Sequence, residues 1–277
     1  MIAIKTSWKS KDNLDMYGQY WDPKGEIKAV VCLVHGLGEH SGRYNHIGEM
    51  LGSNGYALYG FDHRGHGKSG GKKGHFPSLE SAMEDVDLLL EQAGKQFPGV
   101  PKFIYGHSMG GNIALNYLLR RQSIVRGAII TAPWLILDPP TGVFKVALAK
   151  IMNSIHPSFQ DNNALDLNYL THDKNVIQAY IKDDLVHNKI SAGAFLALNE
   201  AANWALENAH KLSKPLLLMH GDEDKLTSPK GSQEFAVKAG KLVDFKLWEC
   251  YYHEIHNETK KELVMNKMLE WLGEILK

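Results

Sequence analysis

The chain has 277 residues, with 31 Lys and Arg against 31 Asp and Glu, so its formal net charge is zero. A chain this long can bury about three quarters of its unfolded surface and needs no staples to fold, and the balanced charge removes the electrostatic case for a nucleic-acid partner. Cys32 and Cys250 are too few and too distant for a disulfide framework, which points to a reducing compartment. The N-terminal stretch "MIAIKTSWKSKDNLDMYG" has no apolar signal-like core. No run approaches the ~20 apolar residues of a membrane span, so the expectation is a soluble, cytoplasmic protein.

Strand-like and helix-like segments alternate along the chain. "AIKTSW" and "MYGQYW" predict an N-terminal hairpin, and "AVVCLVH" (29–35) predicts a β-branched strand buried on both faces. A helix over 44–55 stops at Gly55, and "YALYGF" (56–61) is the next strand. The helix over 78–97 carries Ser81 and Glu84 at capping-box spacing. The strand "KFIYG" (102–106) leads into the helix 110–121, and further strands are expected at 126–132, 215–221 and 244–250, before a closing helix. Near-continuous apolar strands separated by helices predict an α/β fold, a mainly parallel sheet with helices on both faces. Such sheets meet their ligands at the carboxyl ends of the strands.

One stretch breaks the alternation. Between Pro133 and about Leu212 the sequence shows three helical segments and no evident strand. This predicts a helical cap inserted over the sheet, spanning 134–188, with 1–133 and 189–277 forming the core.

The stretch "YGHSMGGN" (105–112) places Ser108 between Gly106 and Gly110, directly after a strand and before a helix. A serine lifted above the strand ends on a sharp turn leaves no room for a Cβ two residues either side, which is the physical content of G-x-S-x-G. Gly111 and Ala114 then let the helix lie close to the sheet. A serine hydroxyl needs a histidine to take its proton, and the histidine needs an acid to fix its tautomer. In this architecture the chain order is serine, acid, histidine. After the strand 215–221 the chain reads "GDEDKLTSP", offering Asp222, Glu223 and Asp224. Reach across the site, together with the family resemblance set out below, favours Asp224, leaving Asp222 to brace the turn. After the strand 244–250 it reads "ECYYHEIHNE", offering His253 and His256. His253 stands in the loop immediately past the strand and is favoured. The spacing of "HEIH" is one residue short of the H-E-x-x-H zinc pattern. The oxyanion needs two backbone N–H donors, expected at Met109 and, from "HGLGEHSGRY", at Leu37.

Five blocks in order, "HGLGEHSGRY", "FDHRGHGKSGG", "YGHSMGGNIAL", "HGDEDKLTSP" and "YYHEIHNE", resemble the monoacylglycerol lipases and their lysophospholipase relatives. The resemblance runs over about residues 25–277. It implies the α/β-hydrolase fold, a triad of Ser108, Asp224 and His253, oxyanion donors at Leu37 and Met109, and no metal or organic cofactor. It implies a small-molecule acyl ester substrate, first a monoacylglycerol, with a lysophospholipid, a short-chain or xenobiotic ester or a peptide amide as rivals. Acyl transfer or perhydrolysis on the same residues and a non-catalytic lipid receptor are remoter readings. That family often has a small residue where Leu37 stands, so the pocket wall here is expected to be bulkier. Asp62, His63, Arg64 and His66 invite a metal or phosphate reading, but the same residues can tie a turn to the core. In the cap, "VFKVALAKIMNSIHPSF" sets Val143, Phe144, Val146, Ala147, Leu148, Ile151, Met152 and Ile155 around Lys145 and Lys150. That pattern suits transient contact with a membrane surface or cover for the crevice. Trp134, Phe159, Phe195 and Trp204 read as core or tunnel lining.

Overall fold

The two apolar runs nearest the N-terminus become β3 (Ala29–Val34) and β4 (Tyr56–Phe61), each buried along its whole length. The computed structural model describes residues 2–23, 25–122, 124–163 and 165–277; the side chains of Val143 and Lys145 lie outside the described set. β1 (Ile4–Lys9) and β2 (Asp15–Trp21) form the expected hairpin, and β2 joins β4 antiparallel. β5 (Lys102–His107), β6 (Gly127–Thr131), β9 (Leu216–Gly221) and β10 (Val243–Trp248) continue the sheet in parallel. Among the described residues the sheet has eight strands in the order β1-β2-β4-β3-β5-β6-β9-β10.

Alternate strand residues feed two cores. Val30, Cys32, Ile104, Ile130 and Leu218 face α2 (Leu79–Gln96), α3 (Met109–Arg120), α6 (Ala192–Asn208) and α7 (Pro229–Ala239). Val31, Leu33, Phe103, Ile129 and Leu217 face α1 (Asn45–Ser53) and α8 (Lys261–Ile275). A period of two on strands covered on both faces has this result: every residue is buried, half to each side.

The inserted segment between β6 and β9 carries α4 (Val143–Ile155) and α5 (Lys174–Ile181), as expected. It also holds two strands that the sequence does not announce, β7 (Gln160–Asn162) and β8 (Lys189–Ser191), paired antiparallel. Each is three residues long, and β7 is wholly polar, so neither shows a period to read. α6 packs against α3, where Asn112 Nδ2 donates to Leu198 O at 2.9 Å and Asn116 Nδ2 to Ala201 O at 3.1 Å.

Two local expectations are corrected. The cap of α2 is Ser78, whose Oγ accepts from Ser81 N at 3.1 Å while Ser81 Oγ accepts from Ser78 N at 3.3 Å. Ser81 therefore stands at the third helical position instead of the cap, and Glu84 is one turn too far along to answer it. β10 ends at Trp248 instead of 250, because the chain turns at Cys250, whose φ is +59°.

The crossing of α3 over the sheet is very close. A Cβ on Gly110 would lie 2.0 Å from Val34 O and 2.4 Å from His35 O, and one on Gly106 would lie 2.9 Å from Ala114 Cβ. Both obstacles at Gly110 are backbone and cannot rotate away. Gly110→Ala is expected to cost about 3 kcal/mol or more of stability, read as a lowered thermal midpoint or loss of soluble protein, whereas Ala114→Gly at the same crossing should still fold.

Candidate active site

β5 ends at His107 and α3 begins at Met109, so Ser108 alone makes the turn between them. Its backbone lies at φ 52°, ψ −117°, a region that costs a residue with a Cβ on the order of 1–3 kcal/mol. Three hydrogen bonds hold it there. Ser108 N donates to Thr131 O, and Ser108 O accepts from Asn112 N and Trp134 N, each at 3.0 Å. The hydroxyl is thereby raised over the carboxyl edge of the parallel sheet.

The loops after β9 and β10 reach the same point. His253 Nε2 lies 2.9 Å from Ser108 Oγ, and His253 Nδ1 lies 2.7 Å from Asp224 Oδ2. Asp224 is buried and fully engaged. Its Oδ1 accepts from Leu226 N and Thr227 N at 2.8 and 3.0 Å, and its Oδ2 from Thr227 Oγ1 and His220 Nε2 at 3.0 Å each. Burial alone would raise its pKa, but His253 and the hydrogen bonds from His220 and His253 outweigh that and hold it ionised. Burial would likewise lower His253; the Asp224 charge and hydrogen bond win, and its pKa stands above the ordinary 6.5. With Nδ1 donating to the carboxylate, Nε2 is free to accept a proton from the hydroxyl.

The other candidates fall elsewhere. Asp222 braces the turn, accepting from Cys250 N at 2.8 Å, as expected of it. His256 stacks on Tyr44 at 5.0 Å between ring centroids. Glu223 lends the turn its backbone amide, which donates to Tyr251 O at 3.1 Å. The Asp62–His66 turn is tied to the core: Arg64 pairs with Asp85 at 2.7 Å and Asp12 at 2.9 Å, and Asp62 accepts from Ser41 Oγ at 2.6 Å and Lys68 N at 2.8 Å. Among the described residues no group of three or more His, Cys, Asp or Glu is placed to hold a metal ion.

The loop carrying Leu37 lies beside the serine, since a Cβ on Gly36 would sit 3.4 Å from Ser108 Cβ. Met109 is the first residue of α3, where backbone N–H groups are left over by the helix. Among the described residues neither the Leu37 nor the Met109 amide has a hydrogen-bond acceptor. The neighbouring Gly36 N donates to Glu39 Oε1 at 2.6 Å. Ser108 and His253 line a cavity of about 220 Å³ whose apolar walls include Leu37, Trp134, Met152 and Phe195.

Five residues of this region were not singled out by sequence reasoning: His220 and Thr227, which bind Asp224, and Glu39, Arg43 and Glu254, which join the loops. Glu39 and Arg43 sit within the block "HGLGEHSGRY", and Glu254 follows His253 directly. Nothing in their spacing says that they meet.

A hydroxyl on a strained strand-to-helix turn, beside an imidazole backed by a buried carboxylate, over a sheet of this order, defines an α/β-fold serine hydrolase. The family model described as "Serine aminopeptidase, S33" matches residues 25–260, and the chain belongs to that family. It is 34% identical to a monoacylglycerol lipase of Mycolicibacterium smegmatis, over 91% of this chain and 90% of that one. It is 40% identical to an abhydrolase domain-containing protein of Dictyostelium discoideum over 92% of this chain, which spans 27% of that longer protein. The crystal structure of Paleococcus ferrophilus monoacylglycerol lipase superposes with a TM-score of 0.85 at 32% identity, covering 99% of this chain and 100% of that one. The expected fold class and family resemblance both hold.

Histidines crowd the site. The rings of His35 and His63 lie 4.5 Å apart, those of His66 and His187 4.6 Å, and that of His107 lies 4.8 Å from His253 and 4.7 Å from His256. Burial pushes His35, His63, His66 and His256 below the ordinary value, and burial with the neighbouring His253 takes His107 down to about 4. Each such group contributes its stability in full above 6.5 and loses it as pH falls toward its folded pKa. His253, with a raised pKa, does the reverse: it contributes below 6.5 and loses that contribution as pH rises through its folded value. The depressed groups outnumber it, so the thermal midpoint should fall steadily below pH 6.5, with the His107 part of the loss complete near 4. A midpoint flat from pH 7 to 4.5 would contradict this.

Proposed function

We propose that the protein hydrolyses carboxylic esters of lipid type, first among them monoacylglycerols, through an acyl-serine intermediate. The observation that best supports the reading is the unbroken run of contacts from Ser108 Oγ to His253 Nε2 at 2.9 Å and from His253 Nδ1 to Asp224 Oδ2 at 2.7 Å, beside an apolar cavity. Ser108 Oγ attacks the ester carbonyl carbon and passes its proton to His253 Nε2. The carbonyl oxygen gains negative charge and is bound by the Leu37 and Met109 amides. The carbon–oxygen bond to the alcohol breaks, and His253 returns the proton to the departing alkoxide. Water, deprotonated by His253, then attacks the acyl-serine; the bond to Ser108 Oγ breaks, His253 returns the proton to that oxygen, and the fatty acid leaves. Asp224 keeps the imidazole in the correct tautomer and stabilises its charged form.

The relatives described as monoacylglycerol lipases support the glycerol ester as substrate. The family description names an aminopeptidase, whose substrate carries an ammonium group. The carboxylates at the cavity wall, Glu39 and Glu254, are both held by Arg43 at 2.6 and 2.7 Å, so their bonding to that guanidinium competes with any grip on a substrate ammonium group.

The segment 134–188 acts as a cap, and α4 serves both roles that its apolar pattern allows. Leu148, Ala149 and Met152 line the cavity. Phe144 and Ile155 are 88% and 74% exposed, on surface suited to the headgroup region of a membrane. Among the described residues no helix is long and apolar enough to cross one. The reading is of a cytoplasmic enzyme, with Cys32 and Cys250 as free thiols, that visits lipid surfaces through its cap.

Ser108→Ala should lower hydrolysis of a glyceryl monoester by about 10⁴-fold or more with the fold intact, and a fluorophosphonate probe should label the wild type at Ser108 only. Wild-type turnover in the variant would end the proposal. Asp224→Asn should lose about 10⁴ in kcat. For the cap, Phe144→Ser with Ile155→Ser should reduce co-sedimentation with phosphatidylcholine vesicles by about five-fold or more while leaving hydrolysis of a water-soluble ester unchanged. Equal vesicle binding by both proteins would remove the membrane role.

A further inference from the structure

Three buried charges lie beside the candidate site, two of them at the cavity wall, and the mechanism just given does not use them. Arg43 Nη1 donates to Glu39 Oε2 at 2.6 Å. The same guanidinium grips Glu254 with two bonds, Nη1 to Oε1 and Nη2 to Oε2, each at 2.7 Å. The arginine side chain is 9% exposed and both glutamates 3%. The carboxylates take further bonds: Glu39 Oε1 accepts from Gly36 N at 2.6 Å and Tyr44 Oη at 2.7 Å, and Glu254 Oε2 accepts from Asn257 Nδ2 at 2.7 Å. A buried ion triad is weak evidence for stability, because desolvation cancels most of the attraction. Its placement offers another reason for it.

The triad joins three parts that have to keep register during turnover. Glu39 holds Gly36 N, the residue before Leu37. Glu254 follows His253 in the chain, and its amide donates to Leu170 O of the inserted segment at 2.7 Å. The guanidinium lies 4.6 Å from the ring centre of Tyr180 in α5. One planar cation therefore ties the oxyanion loop, the histidine loop and the inserted segment together. Two carboxylates against one guanidinium also leave a negative charge uncompensated on that side of His253.

We propose that Glu39, Arg43 and Glu254 form a positioning unit that fixes the Leu37 loop against His253 and favours the charged imidazole during turnover. The proposal rests on the reading of Ser108, His253 and Asp224 given above. The charged and titratable groups around His253 are Asp224 after β9, His107 at the end of β5, His256 and Glu254 on its own loop, and Glu39 with Arg43 after β3. Asp224 dominates, and Glu254 and Glu39 add to it in the same direction. His107 stays neutral near pH 7 and does not cancel them. Arg43 is the opposing charge, and it is outnumbered.

The test is the pH dependence of kcat/KM for a water-soluble ester, with active enzyme counted by fluorophosphonate titration. Glu254→Gln keeps the shape and removes the charge. It should move the acid limb, which reports His253 in the free enzyme, down by about half a unit to one unit and lower kcat by about ten-fold, with KM within about two-fold. Arg43→Lys keeps the charge but loses the fork. It should leave the acid limb in place and still lower kcat by about ten-fold, because the loops are no longer held in register. A Glu254→Gln protein that melts earlier but keeps both the wild-type limb and the wild-type kcat per labelled site would overturn the electrostatic role. Arg43→Lys at wild-type kcat would overturn the positioning role. If Glu254→Gln does not fold, Glu254→Asp replaces it: the limb should stay and kcat should drop, and wild-type kcat there overturns the unit. Failure of the wild-type protein to label at Ser108 would instead defeat the underlying mechanism, whatever the limb does.

Discussion

The molecule is organised around how closely α3 can approach the sheet. Ser108 can stand above the strand ends only if the chain turns within one residue, and that turn brings Gly110 against the carbonyls of Val34 and His35. The backbone strain at φ 52° is held by hydrogen bonds to Thr131, Asn112 and Trp134, so β6 and α3 both carry the cost of the serine's position. His253 Nε2 meets Ser108 Oγ at 2.9 Å. The loops after β3, β9 and β10 converge because parallel strands all end on the same edge.

Around the serine, charge is distributed by burial as much as by proximity. Asp224 remains ionised in a closed setting because His220, His253, Thr227 and two backbone amides meet it. His107, whose ring lies 4.8 Å from that of His253, stays neutral near pH 7 because burial, and then the neighbouring His253, disfavours its charged form; its Nδ1 lies 3.0 Å from the Thr131 hydroxyl. Two imidazoles in one cluster thus take opposite protonation tendencies. The difference lies in what each nitrogen touches, which separates a group able to carry a proton from one that packs.

Much of this was legible in the residues. The strands were readable because burial on both faces turns them into unbroken apolar runs. The serine was readable because close backbone approach demands glycine at fixed offsets. Loop reach together with the family resemblance favours Asp224 over Asp222, and its place just past the strand favours His253 over His256; in the structure His253 Nδ1 meets Asp224 Oδ2 and His253 Nε2 meets Ser108 Oγ. Less was readable where no periodicity is imposed. β7 is three polar residues, and its pairing with β8 depends on partners 27 to 31 positions away in the chain. The cap of α2 was misplaced by one turn because serine at the third position answers Ser78 where a glutamate was looked for.

The sequence by itself determined the layered fold, the glycine-flanked turn and the chain order of the candidate serine, carboxylate and histidine, because each is a local demand on backbone space or on chain order. Tertiary structure alone decided which charges meet. Arg43 and Glu254 are 211 residues apart and share two hydrogen bonds. Tyr180 comes from a third element to lie over the same guanidinium. Side chains so far apart in the chain carry no mutual signal in residue type or spacing. Their pairing exists only once the strands set the loops side by side and exclude the water that would otherwise screen them.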